Sequence, residues 1–166
     1  MKIIAHIETD FTTKFGIPRQ SGIIAEAEGR IIFEKEYRVK EAFRELEGFS
    51  HIWLLWQFSE AVRTGWSPTV RPPRLGGNTR MGVFATRSPF RPNGLGLSSG
   101  KLEKVDTSNG VKLIVSGVDL VDGTPIYDIK PYLTFTDCHV GAKNGYAEEF
   151  IDYCLEVKNT SWLDGL

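Results

Sequence analysis

The chain has 166 residues with a formal net charge of −1; 41% of them are hydrophobic and 25% charged. This is the size of one ordinary domain, able to remove roughly two thirds of its unfolded surface from water, so neither a disulfide nor a structural metal is required. Cys138 and Cys154 form no C-x-x-C pair and read as partly buried thiols in a reducing compartment; the N-terminal apolar run is too short for a secretory signal, and no stretch reaches the ~18 apolar residues of a membrane span, which predicts a cytoplasmic protein with no membrane partner.

In chain order, Lys2 to Glu8 is an apolar strand candidate, followed by a loop from Phe15 to Gly22. Gly22 to Ala27 and Arg30 to Tyr37 read as a hairpin turning at Glu28-Gly29. Val39 to Leu46 carries apolar residues at helical spacing and predicts a short amphipathic helix closed by Gly48. Phe49 to Phe58 is a dense apolar run of strand length, expected to be buried on both faces with Trp53 and Trp56 in the core. Glycines and prolines from Ser59 to Asn78 predict a long functional loop. Arg80 to Thr86 resumes a strand, Leu95 to Val105 and Val111 to Asp119 make a hairpin around Ser108-Asn109-Gly110, and Ile126 to Leu133 is a further strand after the Asp122 to Pro125 turn. Tyr146 to Val157 has helical spacing. The fold class that follows is mainly β, a single antiparallel barrel with short flanking helices over residues 1–140, with a partly helical tail over 141–166 packed on it. Neither G-x-G-x-x-G after a first strand nor a P-loop is present, which excludes the two commonest nucleotide-binding architectures.

Charge is segregated along the chain. From Ala61 through Leu102 there is no Asp or Glu, while Arg63, Arg71, Arg74, Arg80, Arg87, Arg91 and Lys101 give +7 and leave −8 on the rest. Guanidinium groups are forked donors suited to anionic oxygens, so this stretch predicts a surface for phosphate or carboxylate ligands, centred on Trp66 to Ser99. The alternative for any one arginine is a structural bond to a loop carbonyl. His6, His51 and His139 lack metal-ligand spacing and read as structural, so no metal site is expected.

Four segments, in order, resemble the TsaA/TrmO-like family of S-adenosylmethionine-dependent tRNA methyltransferases: K-F-G-I-P-R-Q-S-G at Lys14 to Gly22, G-W-S-P-T-V-R-P-P-R-L-G-G-N at Gly65 to Asn78, M-G-V-F-A-T-R-S-P-F-R-P-N at Met81 to Asn93, and D-L-V-D-G-T-P-I-Y-D-I-K-P-Y at Asp119 to Tyr132. The resemblance implies a barrel enzyme, usually a homodimer, that methylates N6 of threonylcarbamoyladenosine at position 37 in a tRNA anticodon loop. It assigns the cofactor S-adenosylmethionine to Pro18, Arg19, Gln20, Ser59, Glu60, Arg87, Leu97 and the turn Asp122, Gly123, Thr124 and Pro125. The chain departs from the family pattern at Ser59, Gly94 and Leu97. Longer members continue into a C-terminal domain, which a chain ending at Leu166 is expected to lack.

Transfer of a methyl group from a sulfonium to an amine needs alignment of donor and nucleophile, exclusion of water and an acceptor for the departing proton. The catalytic candidates are Asp128 as that acceptor, oriented by Lys130 or Tyr132; a carbonyl of the Asp122 turn is the alternative, and Asp128 could instead be a plain ion-pair partner. Arg71, Arg74, Asn78, Arg91 and Asn93 are the substrate-binding candidates, facing a carboxylate and phosphates. Two other functions fit the same residues: a non-catalytic RNA-binding barrel, and a methyltransferase for another adenosine or a small molecule.

Overall fold

The computed structural model describes residues 1–60, 65–75 and 77–152. Six strands close an antiparallel barrel: β1 (Ala5–Thr9), β2 (Gly29–Phe33), β3 (His51–Gln57), β6 (Leu95–Asp106), β7 (Lys112–Ser116) and β8 (Pro125–Pro131), in the order β1-β2-β7-β6-β3-β8. A two-stranded ribbon of β4 (Thr69–Val70) and β5 (Met81–Gly82) stands apart from it. The predicted barrel is therefore the observed architecture.

Alternation explains the interior. Ala5 and Ile7, Ile31 and Phe33, Ile52, Leu54 and Trp56, Leu113 and Val115, and Ile126 all point inward and form one core with Leu102, Val118 and Leu120. β3 is buried on one face only, in contrast to the expectation from its continuous apolar run: Ile52, Leu54 and Trp56 are inside, whereas Trp53 and Leu55 lie on the outer wall. Trp56 is pressed flat on Gly96, where a Cβ would stand 2.2 Å from the indole.

Three local expectations are corrected. The hairpin between Gly22–Ala27 and Arg30–Tyr37 does not form; β2 pairs with β1, Ile7 opposite Ile31, and residues 22–27 make turns. Gly29 is not a turn residue but the first rung of that ladder, tight enough that a Cβ would meet Ile7 Cδ1 at 2.9 Å. The helix over Val39–Leu46 is replaced by 3-10 turns at Lys40–Phe43 and Leu46–Gly48, because Glu45 takes a left-handed conformation (φ 66°) that no α-helix continues through. Phe43 still packs edge-on to Phe33 at 4.7 Å, so the apolar spacing marks burial rather than helix. The strand Arg80–Thr86 shrinks to Met81–Gly82 and then turns at Val83–Ala85, where Val83 N–H donates to the Pro68 carbonyl.

Beyond the barrel lie a short helix α1 (Thr134–Asp137) and, inside the tail expected to be helical, a 3-10 segment, Gly145–Phe150, followed by helical residues 151–152; the rest of that prediction and Cys154 lie outside the described residues. Cys138 is exposed, not partly buried. No helix among the described residues is long and apolar enough to cross a membrane.

Candidate functional site

β6 is twelve residues long and β7 only five, so Leu95–Gly100 has β3 on one side and no β7 partner on the other. The loop between β1 and β2 fills that place. Ser99 N–H donates to Ser21 Oγ (3.2 Å), and Gly22 N–H donates to the Gly117 carbonyl (2.8 Å). Lys14 N–H donates to Glu60 Oε2 at 2.9 Å, tying the start of this loop to the chain leaving β3. Arg87, on the chain that follows the ribbon, reaches across and its guanidinium donates to Gln20 Oε1. Pro18 is buried and Arg19 exposed in the same loop. Glu60 and Arg87, distant in sequence, thus each bond this loop, Glu60 at Lys14 and Arg87 at Gln20.

Beneath it runs a polar chain that the sequence reading did not select. Trp56 Nε1–H donates to Ser98 Oγ (2.9 Å), and Ser98 Oγ–H donates to Asp119 Oδ1 (2.6 Å). Burial pushes the Asp119 carboxyl above its ordinary range, opposed by hydrogen bonds from Ser98 and the Ser21 backbone and by the charge of Arg87. One signal was available: Asp119 is a lone acid between Val118 and Leu120, in a run that the barrel buries.

The turn Asp122 to Pro125 closes the end of β1. Asp122 N–H donates to the Phe11 carbonyl, Gly123 N–H to Ile7 and Thr124 N–H to Val121, while Asp122 Oδ1 accepts from Thr9 N–H at 3.0 Å. All three amides are used internally and Pro125 has none, so this turn has no backbone N–H to offer a ligand. Asp122 and Gly123 also border a shallow groove of about 250 Å³ with His6, Glu34 and Arg38. That groove lies on the β1–β2 wall and contains none of the loop residues Pro18 to Gln20.

The catalytic candidates sit on the outer wall of β8. Asp128 pairs with Lys130 at 3.0 Å, both partly solvent-exposed, and its other oxygen accepts from Ile129 N–H. Tyr132 packs on Trp53 at 5.4 Å. Asp128 is opposite Leu55, and Leu55 is opposite Leu97, so Asp128 and the exposed Leu97 are two strand spacings apart, about 10 Å, on one outer face. Ser59 is exposed at the end of β3.

Of the substrate-binding candidates, Arg91 is committed to the chain itself: its Nη1 donates to the carbonyls of Thr86 (2.7 Å) and Val83 (3.2 Å). Arg71, Asn78 and Asn93 are exposed; the side chain of Arg74, with residues 61–64 and 76, lies outside the described residues. Arg80 Nη1 donates to Thr69 Oγ1 at 3.3 Å.

Comparison with known proteins gives one consistent result. Residues 6–138 match the family model of the tRNA-methyltransferase O N-terminal domain. A tRNA (adenine(37)-N6)-methyltransferase of Escherichia coli is 48% identical over 146 residues, 87% of this chain and 62% of that protein. The protein of that name from Eikenella corrodens is 60% identical over 99 residues, 60% of this chain and 56% of its own length. The crystal structure of TrmO from Pseudomonas aeruginosa superposes with a TM-score of 0.73 at 39% identity, covering 88% of this chain and 61% of the other. The chain therefore spans about three fifths of the length of these relatives.

Proposed function

The chain belongs to the tRNA-methyltransferase O N-terminal domain family, and from that premise we propose that it transfers a methyl group from S-adenosylmethionine to N6 of threonylcarbamoyladenosine 37 in a tRNA anticodon loop, in the cytoplasm and as a homodimer. The observation that carries this reading is the junction of the Lys14–Gly22 loop with Glu60, Arg87 and Asp119.

The donor set suits the cofactor. S-adenosylmethionine carries a carboxylate, an ammonium and a sulfonium. The Arg87 guanidinium matches the first, and the carboxylates of Glu60 and Asp119 match the cationic groups. Pro18, Arg19, Gln20, Ser59 and Leu97 would complete the walls, with Asp122 and Gly123 contributing carbonyls. Bound there, the cofactor supplies an electrophilic methyl group. The work of this chain is to hold the acceptor nitrogen in line and to exclude water. Asp128 Oδ2 takes the proton lost from N6, and Lys130, 3.0 Å away, holds that oxygen in position. Arg71, Arg74, Asn78 and Asn93 would meet the threonylcarbamoyl carboxylate and the phosphates, with Arg91 shaping the loop that presents them.

Incubation of the protein with threonylcarbamoylated tRNA and S-adenosylmethionine, followed by nucleoside mass spectrometry, tests the proposal: the modified adenosine gains one methyl mass. Absence of that gain, with calorimetry showing cofactor binding, would move the activity to another acceptor. Absence of cofactor binding would leave an RNA-binding barrel.

A further inference from the structure

Trp66 and Phe84 are 51% and 69% exposed, yet their rings stack at 6.1 Å with planes 25° apart. The Arg91 guanidinium stands 5.6 Å from the Phe84 ring centre. Neither ring reaches the barrel core. The backbone that carries them is nonetheless tightly pinned. Ser67 N–H donates to the Phe90 carbonyl, Val83 N–H to Pro68, the β4–β5 ladder joins Thr69 to Gly82, and Arg91 clamps the Val83 and Thr86 carbonyls. An ordered aromatic surface has thus been built where it contributes no core burial, in a stretch with no acidic residue that also carries Arg80, bonded to Thr69 of the ribbon, and Arg87, bonded to Gln20.

From this geometry we infer that Trp66, Phe84 and Arg91 form a stacking platform for an unpaired nucleobase of RNA. The inference deepens the proposed function, on which it rests, by adding a base subsite separate from the reacting adenosine. Aromatic faces bordered by guanidinium groups take any base through its π-face, while the surrounding positive charge takes the phosphates. A second copy of the chain is a poorer occupant, because a two-fold contact through this patch would set arginine against arginine. Arg87, on the chain that follows the ribbon, bonds Gln20, so the segment that carries Phe84 and Arg91 also touches the Lys14–Gly22 loop.

Fluorescence anisotropy of a labelled RNA hairpin with an open loop, without cofactor, tests the platform against a fully paired duplex of the same length. Trp66→Ala and Phe84→Ala should each weaken hairpin binding about tenfold and duplex binding far less, Trp66→Phe should recover most of the loss, and the slope of log affinity against log salt should stay unchanged because no phosphate contact is removed. Circular dichroism confirms that the variants are folded. Wild-type protein that does not bind the hairpin, variants that bind it as tightly as wild type, or equal losses on hairpin and duplex would each overturn the inference. So would a changed sedimentation coefficient in Trp66→Ala with hairpin affinity intact, which would assign the patch to a second copy. Hairpin binding that depends on the platform, in a protein that methylates no tRNA, would refute the proposed function alone. Methylation with an unchanged KM for tRNA in the double variant would refute the platform alone.

Discussion

Replacing Gly96 by alanine strikes the barrel where it has no room. The added Cβ would stand 2.2, 2.3 and 2.6 Å from three atoms of the Trp56 indole, so the ring must retreat by about 1.2 Å to reach ordinary contact at 3.4 Å. It has nowhere to go without loss: Phe58 packs against it at 4.5 Å, and Nε1 is held by Ser98 at 2.9 Å. Overpacking of this kind costs about 1–3 kcal/mol, and a broken buried hydrogen bond adds about 1 kcal/mol. The sum, about 2–4 kcal/mol, is a large part of the stability of a domain this size and corresponds to a fall in Tm of roughly 5–15 °C. Urea titration followed by tryptophan fluorescence reads the change directly. Because Ser98 also holds Asp119, the damage should extend to the Lys14–Gly22 loop and, if the proposed function holds, weaken S-adenosylmethionine binding beyond what the lost stability explains. A Gly96→Ala protein with an unchanged urea midpoint would refute the packing argument.

Arg87→Ala should weaken S-adenosylmethionine binding about tenfold or more by calorimetry, the worth of one charge-assisted contact, with Tm nearly unchanged because the side chain is exposed; unchanged affinity would reduce Arg87 to a tether for Gln20. Asp119 keeps its proton to higher pH when folded than when unfolded, so its contribution makes stability fall as pH rises from the ordinary aspartate value of 3.8 through the raised folded value, and level off above it. Asp119→Asn should remove that slope in urea titrations across the acid range, and a variant with the same slope would place the titration elsewhere. Asp137 has the opposite sign: hydrogen bonds from Leu133 N–H and Trp53 Nε1–H hold its carboxyl below the ordinary range, so its contribution is present above pH 3.8 and lost as pH falls through the lowered value. Asp137→Asn should lower Tm at neutral pH and flatten the acid limb; an unaltered acid limb would show that the α1 contact is not titrating.

The barrel was legible because its signals are local. The apolar run at Lys2 to Glu8 and the turn residues at Ser108 to Gly110 and Asp122 to Pro125 each mark a strand or its end without reference to the rest of the chain. The misreadings share a cause: Gly22 to Ala27 looks like a strand by composition, but β1 supplies β2 with a better partner through Ile7 and Ile31, and only the closed sheet decides between them. Trp53 misled in a similar way, since apolar content alone does not say which wall of a barrel a residue faces. In the candidate site, Gln20, Glu60 and Arg87 came from a family resemblance, and the structure shows Glu60 and Arg87 each bonding the loop that carries Gln20. Asp119 is marked only by its apolar neighbours Val118 and Leu120, and Ser98, a serine in a strand, carries no pattern until the fold brings the two to 2.6 Å. Trp66 and Phe84 were hidden for the converse reason: aromatic residues in a sequence default to the interior, and only measured exposure separates a surface ring from a core ring.

The overhang of β6 past β7 has a cost in solution behaviour. A bare strand margin from Leu95 to Ser99 would be a template for pairing with a neighbouring molecule, and it is covered at Ser99 by Ser21 of an irregular loop, whose next residue, Gly22, is held by the Gly117 carbonyl. Any motion that lifts that loop to admit a ligand uncovers the margin, so ligand entry and resistance to self-association draw on the same few contacts. Saturating ligand should therefore slow aggregation on gentle warming, at temperatures where the barrel itself is still folded.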